Sequence, residues 1–203
     1  MSPPRPTNLA TTGYYLATAL LVLAVALGSV VIANTAVGAA RSGDMLFGSL
    51  AVDATVPPDH LGSLPHGIKV HEDARIRAEV VDPTSAQLLL ATGTQVGPLA
   101  LLIAALWLLR GLARSVREGE PFGAANVRRL RTLGFLLLLG APAVEIVNWA
   151  LRLALGNTAP LSDLSTAGLS VQAAPFVAAL GAFVLAEVFA HGDRLREDSE
   201  ATI

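Results

Sequence analysis

The feature that most constrains this chain is a set of four long apolar runs, because a backbone that enters lipid must satisfy its hydrogen bonds within its own segment. Residues 14–37 hold no charge over 24 residues, roughly 36 Å as a helix. Residues 85–109 are equally uncharged, residues 132–155 carry Glu145 and Arg152, and residues 167–190 carry Glu187. Each run exceeds the ~20 residues needed to cross a hydrocarbon core of ~30 Å. None shows the alternation of a lipid-facing barrel strand. Composition agrees: 53% of the 203 residues are hydrophobic and only 15% are charged, against about 25% charged in soluble domains. A net charge of −2 leaves no overall footprint for nucleic acid, and none is expected as a direct partner. With no cysteine, disulfides, thiol catalysis, iron–sulfur clusters and Cys-based zinc sites are excluded.

The first run competes with a signal-peptide reading, since residues 38–40 are small and Arg5 precedes the apolar stretch. The stretch is far longer than the 7–15 residues of a signal h-region, so a retained helix is the expectation. Orientation follows from positive charge. Residues 110–131 hold Arg110, Arg114, Arg117, Arg128, Arg129 and Arg131, and the tails add Arg5, Arg194 and Arg196. The connection 38–84 has Arg41, Lys69, Arg75 and Arg77, while 156–166 has none. Both termini (residues 1–13 and 191–203) and the basic loop 110–131 are therefore expected in the cytoplasm of a cell with an inner (plasma) membrane. Tyr14, Tyr15 and Trp107 then fall near the inner interface.

Residues 38–84 are too long for a bare turn. Apolar residues alternate at Leu50, Val52, Ala54 and Val56, at Ile68 and Val70, and again from Ala74 to Val80. That period predicts half-buried strands, with Glu72–Asp73 as a tight hairpin turn. The fold class is thus an all-α membrane protein: four transmembrane helices with a small β-patterned extracytoplasmic loop between helices 1 and 2. Asp82 followed by Pro83 reads as an N-cap and first-turn proline opening the second span. His60, His66 and His71 lie beside Asp59, Glu72 and Asp73, but their spacing fits no compact metal motif, and solvated side chains are the expectation. No metal or other cofactor is expected.

In the basic loop, Arg110, Arg114 and Arg117 share one helix face, which suits anionic lipid head groups or an acidic cytoplasmic protein. The Gly and Pro of residues 117–122 then predict a turn. Residues 116–122 and 189–195 share a hydrophobe, a glycine, an acid and a second hydrophobe at the same spacing, as a duplicated helical hairpin would produce.

Within the membrane, Glu145, Asn148 and Arg152 form an i, i+3, i+7 polar line, and Glu187 lies near the inner end of its span. Arg152 is two turns from Glu145 and near the outer end, so it is expected to snorkel outward. Glu145 is then left without a full-strength partner and, desolvated, is expected to be neutral. Glu187 is expected to reach water or Arg194. Pro98, Pro142 and Pro175 predict kinks in three spans.

Gly119-Glu-Pro-Phe122, Asn126 and Arg129-Leu-Arg131, with the closing segment from Glu187 to Ile203, resemble the uncharacterised bacterial membrane proteins of the domain-of-unknown-function family DUF2975. His191 departs from the basic or polar residue expected there. The resemblance implies a four-helix inner-membrane protein without established catalysis. Through members encoded beside a small helix-turn-helix regulator, it also implies a link to signalling. No G-x-S-x-G, H-E-x-x-H or phosphate-binding glycine loop is present. The expected role is therefore non-enzymatic: a membrane sensor or regulatory scaffold acting through the cytoplasmic loop and tail. A small transporter or channel subunit using Glu145 is the alternative. Expected partners are anionic lipid, a cytoplasmic regulator protein and a second copy of the chain.

Overall fold

The computed structural model describes residues 8–40, 50–55, 75–80, 83–158, 165–166 and 172–200. The apolar runs are helical, since that leaves no backbone group unpaired in lipid. Helix α1 is Asn8–Ala40, α2 is Ser85–Arg117, α3 is Ala124–Phe135, α4 is Ala141–Thr158 and α5 is Ala174–Glu200. A π-helical turn, Leu136–Gly140, joins α3 to α4 without a break. Four stretches are long and apolar enough to span a membrane: Leu9–Gly38, Ser85–Arg117, Ala124–Thr158 and Ala174–Arg194. Their large apolar side chains point outward, among them Leu16, Val22, Ile32, Leu139 and Val177. In water such a surface would be untenable, and in a bilayer it is solvated. The chain is a multi-pass membrane protein.

Three short strands accompany the helices. Strands β1 (Leu50–Thr55) and β2 (Arg75–Val80) pair antiparallel, with Leu50 opposite Val80 and Thr55 opposite Arg75. Strand β3 (Ser165–Thr166) pairs with the other edge of β1. Glu72–Asp73, Ile68 and Val70, together with the three loop histidines, lie outside the described residues.

Helix ends depart from the sequence reading in instructive ways. The second span is capped by Thr84, which follows Pro83, and Asp82 lies outside the described residues. The Gln87 N–H donates to Thr84 Oγ1 (3.3 Å), and the Thr84 N–H donates to Gln87 Oε1 (2.9 Å). This reciprocal capping box satisfies two orphan donors, which Pro83, with no acceptor on its side chain, has no means to do. Gln87 is buried, and its Nε2 also donates to the Thr158 carbonyl at the end of α4 (3.0 Å).

The basic segment 110–131 is mostly helix: α2 runs through Arg117 and α3 starts at Ala124. Arginine and alanine are good helix formers, so the helix continues beyond its apolar stretch. It stops in a Schellman motif, with Gly119 N donating to Val116 O (3.2 Å) and Glu120 N to Ser115 O (3.1 Å). Gly119 takes φ +88° there, which a side chain would oppose.

The chain divides into two compact units. The first comprises Met1–Leu27, Pro98–Val144 and Val171–Ile203. Its core joins α3 to α5: Val127, Leu130 and Leu133 are buried on one helix, and Ala179, Ala182 and Ala186 on the other. The alanines permit close approach. At Gly134 a Cβ would sit 2.7 Å from the Phe183 ring, which stacks edge-on against Phe135 with centroids 5.0 Å apart. The π turn precedes Pro142, whose missing N–H leaves a carbonyl one turn earlier in need of a different register. The second unit comprises Gly28–Gly97 and Glu145–Ser170. In it the Thr35 and Thr92 hydroxyls hydrogen-bond between α1 and α2, and Leu151 of α4 rests on Gly93 of α2.

Gly119→Ala should lower stability by about 1 kcal/mol, because alanine resists positive φ. Gly181→Ala should be neutral or slightly stabilising, since nothing lies within 4 Å of its Cβ position. Thermal unfolding of the detergent-solubilised proteins reads both; an equal response at the two positions would contradict the assignment.

Candidate functional site

Two polar constellations stand out, one within a span and one at the basic helix ends. The first is the predicted line on α4. Asn148 is buried, while the side chains of Glu145 and Arg152 are 25% and 34% exposed. Arg152 does not snorkel outward. Its Nη2 donates to Glu145 Oε1 at 2.7 Å, and its Nε donates to the Asn148 carbonyl at 3.2 Å. The guanidinium arches back over two helical turns, roughly 10 Å along the axis. The expectation that Glu145 lacks a full-strength partner is therefore corrected: Arg152 lies within hydrogen-bonding distance of it. The physical reason is that two opposite charges on a dry helix face gain more from each other than either gains alone. Asn148 Oδ1, by contrast, is buried and accepts no hydrogen bond among the described residues.

The second constellation gathers the arginines, which the structure splits into distinct roles. Arg110 and Arg117, one on each side of a two-turn interval, both reach Tyr14 of α1. Arg110 donates through Nε to Thr18 Oγ1 (3.0 Å) and through Nη2 to Tyr14 Oη (2.9 Å). The Arg117 and Arg110 guanidinium carbons lie 4.2 Å and 5.3 Å from the Tyr14 ring centroid. Arg114, between them in sequence, instead pairs with Glu118 at 2.9 Å. The hydrogen bond from Arg114 holds the Glu118 carboxyl below the usual carboxylate range, and the charges of Arg114, Arg117 and Arg129 add to the effect. Arg128 is exposed. Arg131 approaches Glu187 of α5 at 3.6 Å, so Glu187 finds a partner other than Arg194; both side chains are largely in solvent and the pair contributes little.

The pivot of this region is Asn126, which the sequence reading did not single out as a site. It is fully buried. Its Nδ2 donates to the carbonyls of Glu120 (3.2 Å) and Pro121 (2.9 Å), and its Oδ1 accepts from Arg129 Nη1 (2.7 Å). Arg129 is laid against Gly111, where a Cβ would meet Nε at 3.0 Å. One amide thus ties the turn between α2 and α3 to an arginine that itself lies on α2. The turn also grips α5: the Phe122 ring meets Phe189 edge-on, centroids 5.4 Å apart, and would touch a Cβ at Gly192 at 3.0 Å. The apparent duplication of 116–122 in 189–195 is not a structural repeat. Gly119 forms a left-handed turn, whereas Gly192 lies within helix α5 and receives Phe122. The two similar segments touch each other.

This folded block of Gly119, Glu120, Pro121, Phe122, Asn126 and Arg129 lies within the part of the chain that matches known sequences. Residues 72–203 match the model of a family described as proteins of unknown function, DUF2975. The chain belongs to the DUF2975 family. The match covers β2 and α2 through α5, and with them the Glu145–Arg152 pair and the whole Asn126 turn; α1 and β1 precede it. No curated protein and no solved structure matches the chain. Among the described residues, no group of three or more His, Asp or Glu side chains is arranged to hold a metal ion.

Gln87, Tyr14 and Asn126 were missed by sequence reasoning to different degrees. Gln87 was findable as the fourth residue of a Thr-x-x-Gln capping box. Tyr14 was read as an interfacial aromatic, but its arginine partners sit far along the chain. Nothing local marks Asn126 as buried.

Arg152→Leu should destabilise the protein by about 2 kcal/mol, a figure reduced from the full cost of an orphaned buried charge because both side chains are partly exposed. Glu145→Leu combined with Arg152→Leu should recover most of that loss. Thermal unfolding in detergent measures both, and a double variant weaker than the single one would contradict the pairing.

Proposed function

We propose that this DUF2975 protein is a non-enzymatic regulatory scaffold of the inner membrane, acting on a cytoplasmic partner through the turn between α2 and α3 and the C-terminal segment 191–203, which begins within α5. The observation that carries this reading is the Asn126 knot. The basic segment is two helix ends joined by a tight turn and gripped by α5, which holds exposed Arg128 and Arg131 on a rigid platform. A rigid charged surface suits recognition, because little side-chain and backbone order is lost on binding. The partner class that fits it is an acidic protein surface. In this reading both termini are cytoplasmic and the strands β1 and β2 lie outside, as the nine-to-four distribution of positive charge between the two sides favours.

Orientation is checked with single cysteines at Ser49 and Ser115 and an impermeant thiol reagent on intact cells. Ser49→Cys should label and Ser115→Cys should not; the reverse pattern would overturn the orientation. The scaffold reading is checked by copurification after crosslinking in the native membrane. A cytoplasmic protein should accompany the wild type and be lost with Arg128→Glu and Arg131→Glu, while both variants keep wild-type unfolding temperatures.

A second reading, a small transporter or channel subunit, draws on the buried Asn148 Oδ1 beside an ion pair within a span. Proton flux in liposomes that disappears with Glu145→Gln, together with copurification insensitive to Arg128 and Arg131, would favour this reading over the scaffold.

A further inference from the structure

We propose that Tyr14, Arg110 and Arg117 form a discrete site for the phosphate of one anionic phospholipid head group. The inference goes beyond a general attraction of arginines to a charged membrane, and it does not depend on the scaffold reading.

The argument starts from charge. Two guanidinium groups share one aromatic ring, at 4.2 Å and 5.3 Å from its centroid. The ring's quadrupole attracts each of them but cancels neither charge. Among the described residues neither arginine has a carboxylate within ion-pairing distance, and the nearest acid in sequence, Glu118, is engaged by Arg114 at 2.9 Å. The Glu118 carboxyl is held below its usual range first by the hydrogen bond from Arg114, to which the charges of Arg114, Arg117 and Arg129 add. Two like charges brought together without a counter-charge call for an anion.

The donors that remain suit a phosphate. Arg110 is already oriented, spending Nε on Thr18 and one Nη2 hydrogen on Tyr14, which leaves its Nη1 unspent. The Thr18 hydroxyl donates to the Tyr14 carbonyl at 2.8 Å, so its lone pairs are free to receive Arg110 and the arrangement is self-consistent. Arg117 makes no hydrogen bond among the described residues, so its planar fork is available whole. Guanidinium forks match phosphate oxygens in geometry as well as charge.

The site's level selects lipid over a free anion. Arg110 follows directly on the uncharged stretch 85–109, and Arg117 lies about 10 Å further along the helix. The head-group zone on one side of a bilayer extends roughly 5–7 Å beyond the hydrocarbon, so a phosphodiester sits between the two arginines. The adjoining surface of α2 is apolar and outward-facing: Trp107 and Leu109 are both exposed. Acyl chains would lie along those side chains, a contact that inorganic phosphate has no means to make.

The test uses the full chain in detergent, titrated with phosphatidylglycerol or phosphatidylcholine and read by native mass spectrometry. Wild type should retain one phosphatidylglycerol in preference to phosphatidylcholine. Arg117→Gln should weaken that retention about fivefold, from the roughly 1 kcal/mol that a basic residue contributes at an anionic surface. Because Arg117 makes no hydrogen bond within the described fold, its loss should lower the unfolding temperature only slightly, by the one cation–π contact with Tyr14. Arg117→Lys keeps the charge without the fork and should fall between wild type and Arg117→Gln, so the series stays informative if one variant folds poorly. Arg128→Gln should leave retention unchanged. An equal loss in Arg128→Gln and Arg117→Gln would mean diffuse surface charge and overturn the site. Equal retention of phosphatidylcholine would do the same, and displacement of phosphatidylglycerol by inorganic phosphate would make it a free-anion site.

Discussion

Within the hydrocarbon of a bilayer no water is available to a backbone N–H or C=O, and every such group must find its partner inside its own segment. The rest of this structure follows from that requirement. It makes the four apolar runs helices, and it relegates strands and turns to the segments between them. It also exposes the places where polar atoms have to be handled individually. The π turn before Pro142 is one such place, where a proline has removed an N–H and the helix changes register without breaking. The capping box of Thr84 and Gln87 is another, closing the orphan donors at the start of α2.

Side chains obey the same rule less strictly, because they can move to find partners. Arg152 is the clearest case. A long cationic side chain near a span end has two options: to reach outward to head groups or back to an acid. With Glu145 two turns away on the same face, reaching back neutralises both groups, whereas reaching outward would leave a carboxylate alone. At the basic end the choice runs differently for each arginine. Arg114 finds Glu118, Arg129 finds Asn126, and Arg110 and Arg117 meet at Tyr14, with Thr18 also accepting from Arg110. Residues of one type, in one short segment, therefore have three different chemical environments.

Asn126 shows how one buried amide organises such a region. Two of its three hydrogen bonds close the six-residue turn between α2 and α3 by reaching the carbonyls of Glu120 and Pro121, and the third receives Arg129. With the turn closed, Phe122 is held where it meets Phe189 and covers Gly192. The segments that seemed to be copies of each other are instead two halves of one contact.

Membrane residence, four spans and their approximate positions were written in the sequence, because hydrophobic length is a local property that needs no partner to be read. So was the turn at Gly119, since a glycine and a proline between arginine-rich helix formers allow little else. The polar line Glu145, Asn148 and Arg152 was visible from helical period alone. What that line does was not: pairing depends on which rotamer a long side chain adopts, and the sequence supports an outward Arg152 as readily as an inward one. The union of Tyr14 with Arg110 and Arg117 spans nearly a hundred residues, and the seating of Phe122 on Phe189 depends on α5 arriving from the far end of the chain. Only tertiary structure decides contacts of that kind, because they are made by helices that the sequence determines one at a time and packing brings together.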